Sequence, residues 1–107
     1  IDFLEEHKFL ITPTAPVTPP PYEQRYVKSI EGIETQSYID WLALGYAISI
    51  TGCPSVSIPC GFTTDGLPVG IQIVALPYHE VALLRFAAWI EQVFALPSVL
   101  ALTNFQD

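Results

Sequence analysis

Thr51-Gly52-Cys53-Pro54-Ser55-Val56-Ser57-Ile58-Pro59-Cys60-Gly61-Phe62, continued by Thr63-Thr64-Asp65-Gly66-Leu67 and Pro68-Val69-Gly70-Ile71-Gln72-Ile73-Val74-Ala75, is the stretch whose reading decides the fold. Val56, Ile58 and Cys60 alternate with polar or imino residues, the period-two pattern of a strand with two distinct faces. Pro59 has no N–H to donate, so it belongs near the strand's end or at an unpaired position. Thr64-Asp65-Gly66 is a turn signal, because Asp bonds its own backbone locally and Gly accepts a positive φ. Pro68 to Ala75 reads as a second strand, with Val69, Ile71 and Ile73 on one face and Gly70, Gln72 and Val74 on the other. The seven residues Gly61 to Leu67 between the two runs predict an antiparallel hairpin.

On either side of this hairpin the period changes to that of a helix. Tyr38, Ile39, Leu42, Ala43 and Tyr46 recur at helical spacing, behind an N-cap offered by Thr35-Gln36-Ser37 and with Asp40 in the first turns, which predicts a helix over 36–49. Gly52 and Pro54 end it. After Pro77, a second helix is expected over 79–94, with Leu83, Phe86, Ala87, Ile90 and Phe94 as the stripe that packs on the sheet. Near the start, Phe9-Leu10-Ile11 reads as a buried strand preceded by a helix end around Asp2–His7. It shows no evident strand neighbour within the chain. Pro13, Pro16, Pro19, Pro20 and Pro21, half of the ten prolines, make 13–22 an extended loop. Residues 25–34 show no clear pattern, and 98–107 read either as a short helix or as a loose end. The order is β, long loop, α, β, β, α.

Composition narrows the function. With 107 residues this is one domain or a piece of one. Half the residues are apolar and 14% are charged, which excludes a disordered chain and exceeds what a small two-layer domain easily buries. A fragment of a larger core and an oligomer both account for that excess. The formal net charge is −7, with only Lys8, Arg25, Lys28 and Arg85 positive, so phosphate neutralisation cannot drive nucleic-acid binding and an anionic membrane surface repels the chain. The longest dense apolar run, Trp41 to Ile50, is too short to cross a bilayer. An opening at Ile1 fits a processed chain or a fragment, and no signal-peptide pattern is present. Cys53 and Cys60 bracket a strand, which sets them roughly 20 Å apart, beyond disulfide reach and at a spacing unlike that of a structural zinc site. Unpaired thiols point to a reducing cytoplasm. No cofactor or metal is expected.

Four strings resemble the amidase-signature family of hydrolases. They are Phe9-Leu10-Ile11-Thr12-Pro13-Thr14-Ala15-Pro16, the 51–62 run, the 66–74 run, and Glu80, Leu83, Leu84, Ala87 and Glu91 of the last helix. Each is weak alone, but they occur in the family's order and at its spacing. The resemblance implies an α/β fold, the α/β/α sandwich with a mixed sheet, of which residues 1–107 form a single incomplete C-terminal part. It also implies amide hydrolysis through an acyl-enzyme, with a Ser nucleophile, a second Ser in a cis peptide and a Lys base. The glycine- and serine-rich segment that supplies these groups precedes this region, so no catalytic residue is expected here. Ser55 and Ser57 lie in no Gly-Ser-Ser context, and Lys8 and Lys28 match no motif. Ser49 stands where the family commonly has Asn. Leu42 and Leu44 carry no charge where members acting on amino-acid amides can carry an acid, which implies an uncharged acyl group.

The remaining candidates have two readings each. Tyr46 and Ile48 line the acyl pocket or simply pack the core. Gln72 supports a substrate or catalytic loop from behind, or is an amide bonded to neighbouring backbone. His79 is a surface residue at a helix start rather than a base, and the cysteines are small buried hydrophobes. Pro19-Pro20-Pro21-Tyr22 has the proline-proline-any-tyrosine form read by WW domains. Two functions follow. The chain is the C-terminal segment of an amidase, inactive alone and completed by an N-terminal amidase segment. Alternatively, it is a non-enzymatic module that hides its apolar faces in a homo-oligomer or against another partner.

Overall fold

A computed structural model describes residues 1–96; the expected final element over 98–107, and Pro97, lie outside the described residues. The chain runs α1 (Asp2–His7), β1 (Phe9–Pro13), a long loop, β2 (Ser29–Ile30), β3 (Ile33–Glu34), α2 (Tyr38–Trp41), α3 (Ala43–Thr51), β4 (Ser55–Phe62), β5 (Pro68–Ala75) and α4 (Glu80–Phe94). This is the α/β class that the pattern predicts, and within the described residues every strand pairing is antiparallel.

The hairpin forms as the alternation requires. Ser55 pairs with Val74, Ser57 with Gln72 and Pro59 with Gly70, and the register then shifts between Pro59 and Gly61. The bulge follows the one residue of β4 that cannot donate, and β4 lies at the edge of the sheet, where a proline is tolerated. β5 has the expected bounds, β4 runs two residues further than the alternation predicts, and the Thr63 N–H donates to the Leu67 carbonyl at 2.8 Å. Only Thr64-Asp65-Gly66 is left to turn. Gly66 sits at φ 86°, the left-handed residue that a three-residue hairpin loop needs. The Thr63 hydroxyl donates to the Asp65 carboxylate, and this bond, followed by the residue's own backbone N–H, holds the Asp65 pKa below its ordinary value. A depressed carboxyl pKa adds stability above the unfolded value and loses it as pH falls through the folded one. Thr63→Val is therefore expected to raise the Asp65 titration midpoint, read from its side-chain carboxyl carbon by NMR. An unchanged midpoint would remove the hydroxyl as the cause.

Two expectations are corrected. The Phe9–Ile11 strand does have a neighbour. β1 pairs antiparallel along the free edge of β5, Phe9 with Ala75 through Pro13 with Ile71, giving the order β1-β5-β4. Its partner lies about sixty residues downstream, beyond the reach of local pattern. The single helix over 36–49 is two. Ser37 and Asp40 form a reciprocal capping box that starts α2. The Leu42 N–H then donates three residues back, to Ile39 at 3.0 Å, and Leu42 takes φ −87° and ψ 7°, outside helical geometry. The helix restarts at Ala43 and ends at Gly52, which caps it in the left-handed conformation. Within the unplaced stretch 25–34, residues 29–34 form a small hairpin, whose Glu31-Gly32 loop has positive φ at both residues, as a tight two-residue turn demands.

The core lies between one face of the sheet and α4. Ile58, Ile73 and Ala75 meet Leu83, Ala87 and Ile90, with Phe9, Val56, Ile71 and Phe86 packed around them. Phe9 and Phe86 stack with centroids 4.4 Å apart. Of the expected stripe only Phe94 stays outside, 40% exposed. Around this core much apolar surface is open, including Val81, Leu84, Trp89 and Val93 of α4. The accessible surface is 8269 Å², against ~5,900 Å² for a compact monomer of this mass. The radius of gyration, 15.9 Å, likewise exceeds the ~13 Å of a closed domain of this length. Among the described residues no helix is long and apolar enough to cross a membrane.

Candidate functional site

The sheet face away from α4 is polar at its centre. Register puts Thr12, Gln72 and Ser57 in one row across β1, β5 and β4. The Gln72 Nε2 donates to the Thr12 hydroxyl at 3.4 Å, so its partner is a neighbouring side chain and not the backbone. Just beyond β1, the Thr14 and Ser57 hydroxyls bond at 2.6 Å across 43 residues of sequence. Gly70 makes this approach possible. A Cβ there would lie 3.0 Å from the Thr14 hydroxyl and 3.3 Å from both the Ser57 hydroxyl and the Ile58 carbonyl.

Two cavities open beside this row and share Thr14, Ala15, Pro16 and Trp41 as a common wall. One, of about 450 Å³, is closed by α2 and α3 through Ile39, Leu42, Leu44, Gly45, Tyr46 and Ser49. The other, of about 550 Å³, runs along the proline-rich loop from Pro13 to Pro19 and reaches Pro68, Val69 and Gly70. Neither wall includes a charged side chain. Tyr46 therefore lies on a cavity, 43% exposed. Ile48 is half-buried and lines neither cavity. The helix separates the two, since residues two apart point about 200° apart around its axis. Gln72 lines neither cavity and belongs to the polar row.

Sequence reasoning missed Trp41, the wall between the cavities, whose indole N–H is buried without a partner among the described residues. It also missed the pairing of Thr14 with Ser57. The one local signal was Gly70, a glycine inside a strand pattern, which marks a close approach. Ser49 turns back to the Gly45 carbonyl at 3.1 Å. His79 is exposed at the N-cap position of α4, where its carbonyl accepts from the Leu83 N–H at 3.0 Å and its ring makes no capping bond. Cys53 and Cys60 are both free and half-buried. No side-chain hydrogen bond among the described residues joins a lysine amine to a serine hydroxyl, and no cluster of three potential metal ligands occurs there.

An antiparallel α/β layer with two apolar cavities along a hydroxyl-bearing sheet face is the class of structure this site defines. The amidase family model matches residues 1–84, and the chain belongs to the amidase family. It is 34% identical over 92 residues to an acylamidase of Rhodococcus erythropolis, covering 85% of this chain and 19% of that protein. With a fatty acid amide hydrolase of Medicago truncatula the identity is 32%, covering 78% and 14%. A glutamyl-tRNA(Gln) amidotransferase component of Thermodesulfovibrio yellowstonii is 37% identical over 90 residues, covering 82% and 17%. Among solved structures, 6-aminohexanoate cyclic dimer hydrolase superposes with a TM-score of 0.71 at 31% identity, over 92% of this chain and 22% of that one. The chain thus spans less than a fifth of each of these curated relatives.

Proposed function

We propose that this chain furnishes part of the sheet and one wall of the substrate pocket of an amide hydrolase, and that it is inactive alone. The observation that carries the reading is the uncharged cavity of Trp41 and Tyr46 beside the Thr14–Ser57 pair. It suits a neutral acyl group, which agrees with the names of the fatty acid amide hydrolase and acylamidase relatives. In the completed enzyme a serine hydroxyl attacks the amide carbon while a lysine takes its proton. The C–N bond breaks as that proton passes to the leaving amine, and water then hydrolyses the ester. Fixed backbone donors hold the tetrahedral oxyanion. The serines and the lysine belong to a glycine- and serine-rich amidase segment that covers the open apolar surface. Tyr46 serves the acyl side from the cavity wall, Ile48 on the other side of α3 packs away from it, and Gln72 steadies the sheet behind. The free thiols suit a cytoplasmic setting.

The test is an activated-ester burst assay on the purified chain, alone and with an amidase segment bearing the glycine- and serine-rich run. No burst is expected from the chain alone, and a burst is expected from the complex. In that complex Tyr46→Ala is expected to raise KM for long-chain amides by about tenfold, the cost of losing ~1.4 kcal/mol of apolar contact. A burst from the isolated chain that Ser55→Ala or Ser57→Ala abolishes would overturn the reading. Native mass spectrometry showing a stable homodimer that no amidase segment displaces would favour a non-enzymatic module.

A further inference from the structure

The proline-rich loop carries a second feature that the amidase reading leaves unused. Thr18, Pro19 and Pro20 each precede a proline, which disfavours the helical region and sets them extended. Ring closure fixes φ of Pro19, Pro20 and Pro21 near −65°. Covalent geometry alone therefore winds 18–21 as a left-handed polyproline helix, and the structure has neither helix nor strand there. At about 3.1 Å per residue the extended run carries the chain about 9 Å from Pro19 to Tyr22, where the turn begins. Both are exposed, while Pro20 between them is half-buried. The Gln24 N–H donates to the Pro21 carbonyl at 2.9 Å, and this turn holds Tyr22 outward with 94% of its surface open. The carbonyls of Thr18, Pro19 and Pro20 accept no backbone hydrogen bond among the described residues and remain free for a partner's donors.

We propose that Pro19-Pro20-Pro21-Tyr22 is a docking site for a small WW-type domain, whose aromatic groove grips the proline edge and whose second pocket takes the Tyr22 ring. Preformed geometry lowers the ordering cost of such binding. The Pro13-x-x-Pro16 and Pro16-x-x-Pro19 spacings do not serve an SH3-type groove, because Pro13 is the last residue of β1 and Pro16 is half-buried on both cavities, whereas Pro19 borders only the second cavity and is exposed. The proposal is independent of the amidase reading.

Isothermal titration of the 107-residue chain with an isolated WW domain selective for proline-proline-any-tyrosine tests it. One-to-one saturable binding is expected. Tyr22→Ala is expected to weaken it by about thirtyfold, the loss that follows removal of an aromatic anchor, with an unchanged circular dichroism spectrum. Tyr78, also 94% exposed, is the control, and Tyr78→Ala is expected to leave the affinity unchanged. Absence of saturable binding, equal loss in the two variants, or binding to an SH3 domain that survives Tyr22→Ala would each overturn it.

Discussion

Ile73→Ala is expected to unfold most of the isolated chain at room temperature. Ile73 has no exposed surface and sits at the centre of the middle strand, between Ile11 on β1 and Val56 on β4. It lies in the cluster that joins the sheet to Leu83, Ala87 and Ile90. Removing such a side chain costs the lost transfer energy plus the cavity left behind, about 2–5 kcal/mol in well-packed cores. Only eight apolar residues are buried among those described, so little stability stands in reserve. Urea unfolding followed by circular dichroism measures the effect. Leu84→Ala, on the same helix but at a side chain 60% exposed, is the comparison, with a change within about 0.5 kcal/mol. Equal losses at the two positions would mean that α4 does not pack on the sheet through the Leu83–Ala87–Ile90 stripe.

Gly70→Ala is expected to destabilise by about 1–3 kcal/mol, the range for forcing atoms into a filled space. The added methyl meets the Thr14 hydroxyl, the Ser57 hydroxyl and the Ile58 carbonyl together. The carbonyl belongs to the sheet and cannot move freely, so strain falls on the Thr14–Ser57 bond and on the turn that carries the chain from β1 into the proline-rich loop. Thr14→Ala removes the nearest of the three atoms. The double variant is therefore expected to lose less than the sum of the two singles, the non-additivity of residues that share a contact. Strict additivity would show that the methyl finds room elsewhere and that Gly70 does not set the approach of Thr14 to Ser57. In a completed enzyme the same variant tests whether the cavity along Pro68, Val69 and Gly70 matters for substrate.

Sequence alone determined the elements that depend on neighbours a few residues away. The β4–β5 hairpin was legible because alternation at Val56, Ile58, Ile71 and Ile73 and the Asp65-Gly66 turn agree on one register. α4 was legible from its stripe, and the stop of α3 from Gly52. The family was legible too, since four short strings in order carry it. The break at Leu42 was not, because the apolar spacing continues across it while the backbone does not. The Glu31-Gly32 turn was passed over because its strands are two residues each.

Only the tertiary structure decided where Phe9–Pro13 goes. Its hydrogen bonds are satisfied by β5, and no local pattern in either segment encodes a pairing across about sixty residues. That one pairing then makes the site. It brings Thr12 to Gln72 and Thr14 to Ser57, and it lays Ala15 and Pro16 against Trp41 to wall two cavities. Side-chain period specifies which face a residue takes; which strand stands beside it is settled by closing the chain over the only free edge of β5 that buries Phe9 on Phe86.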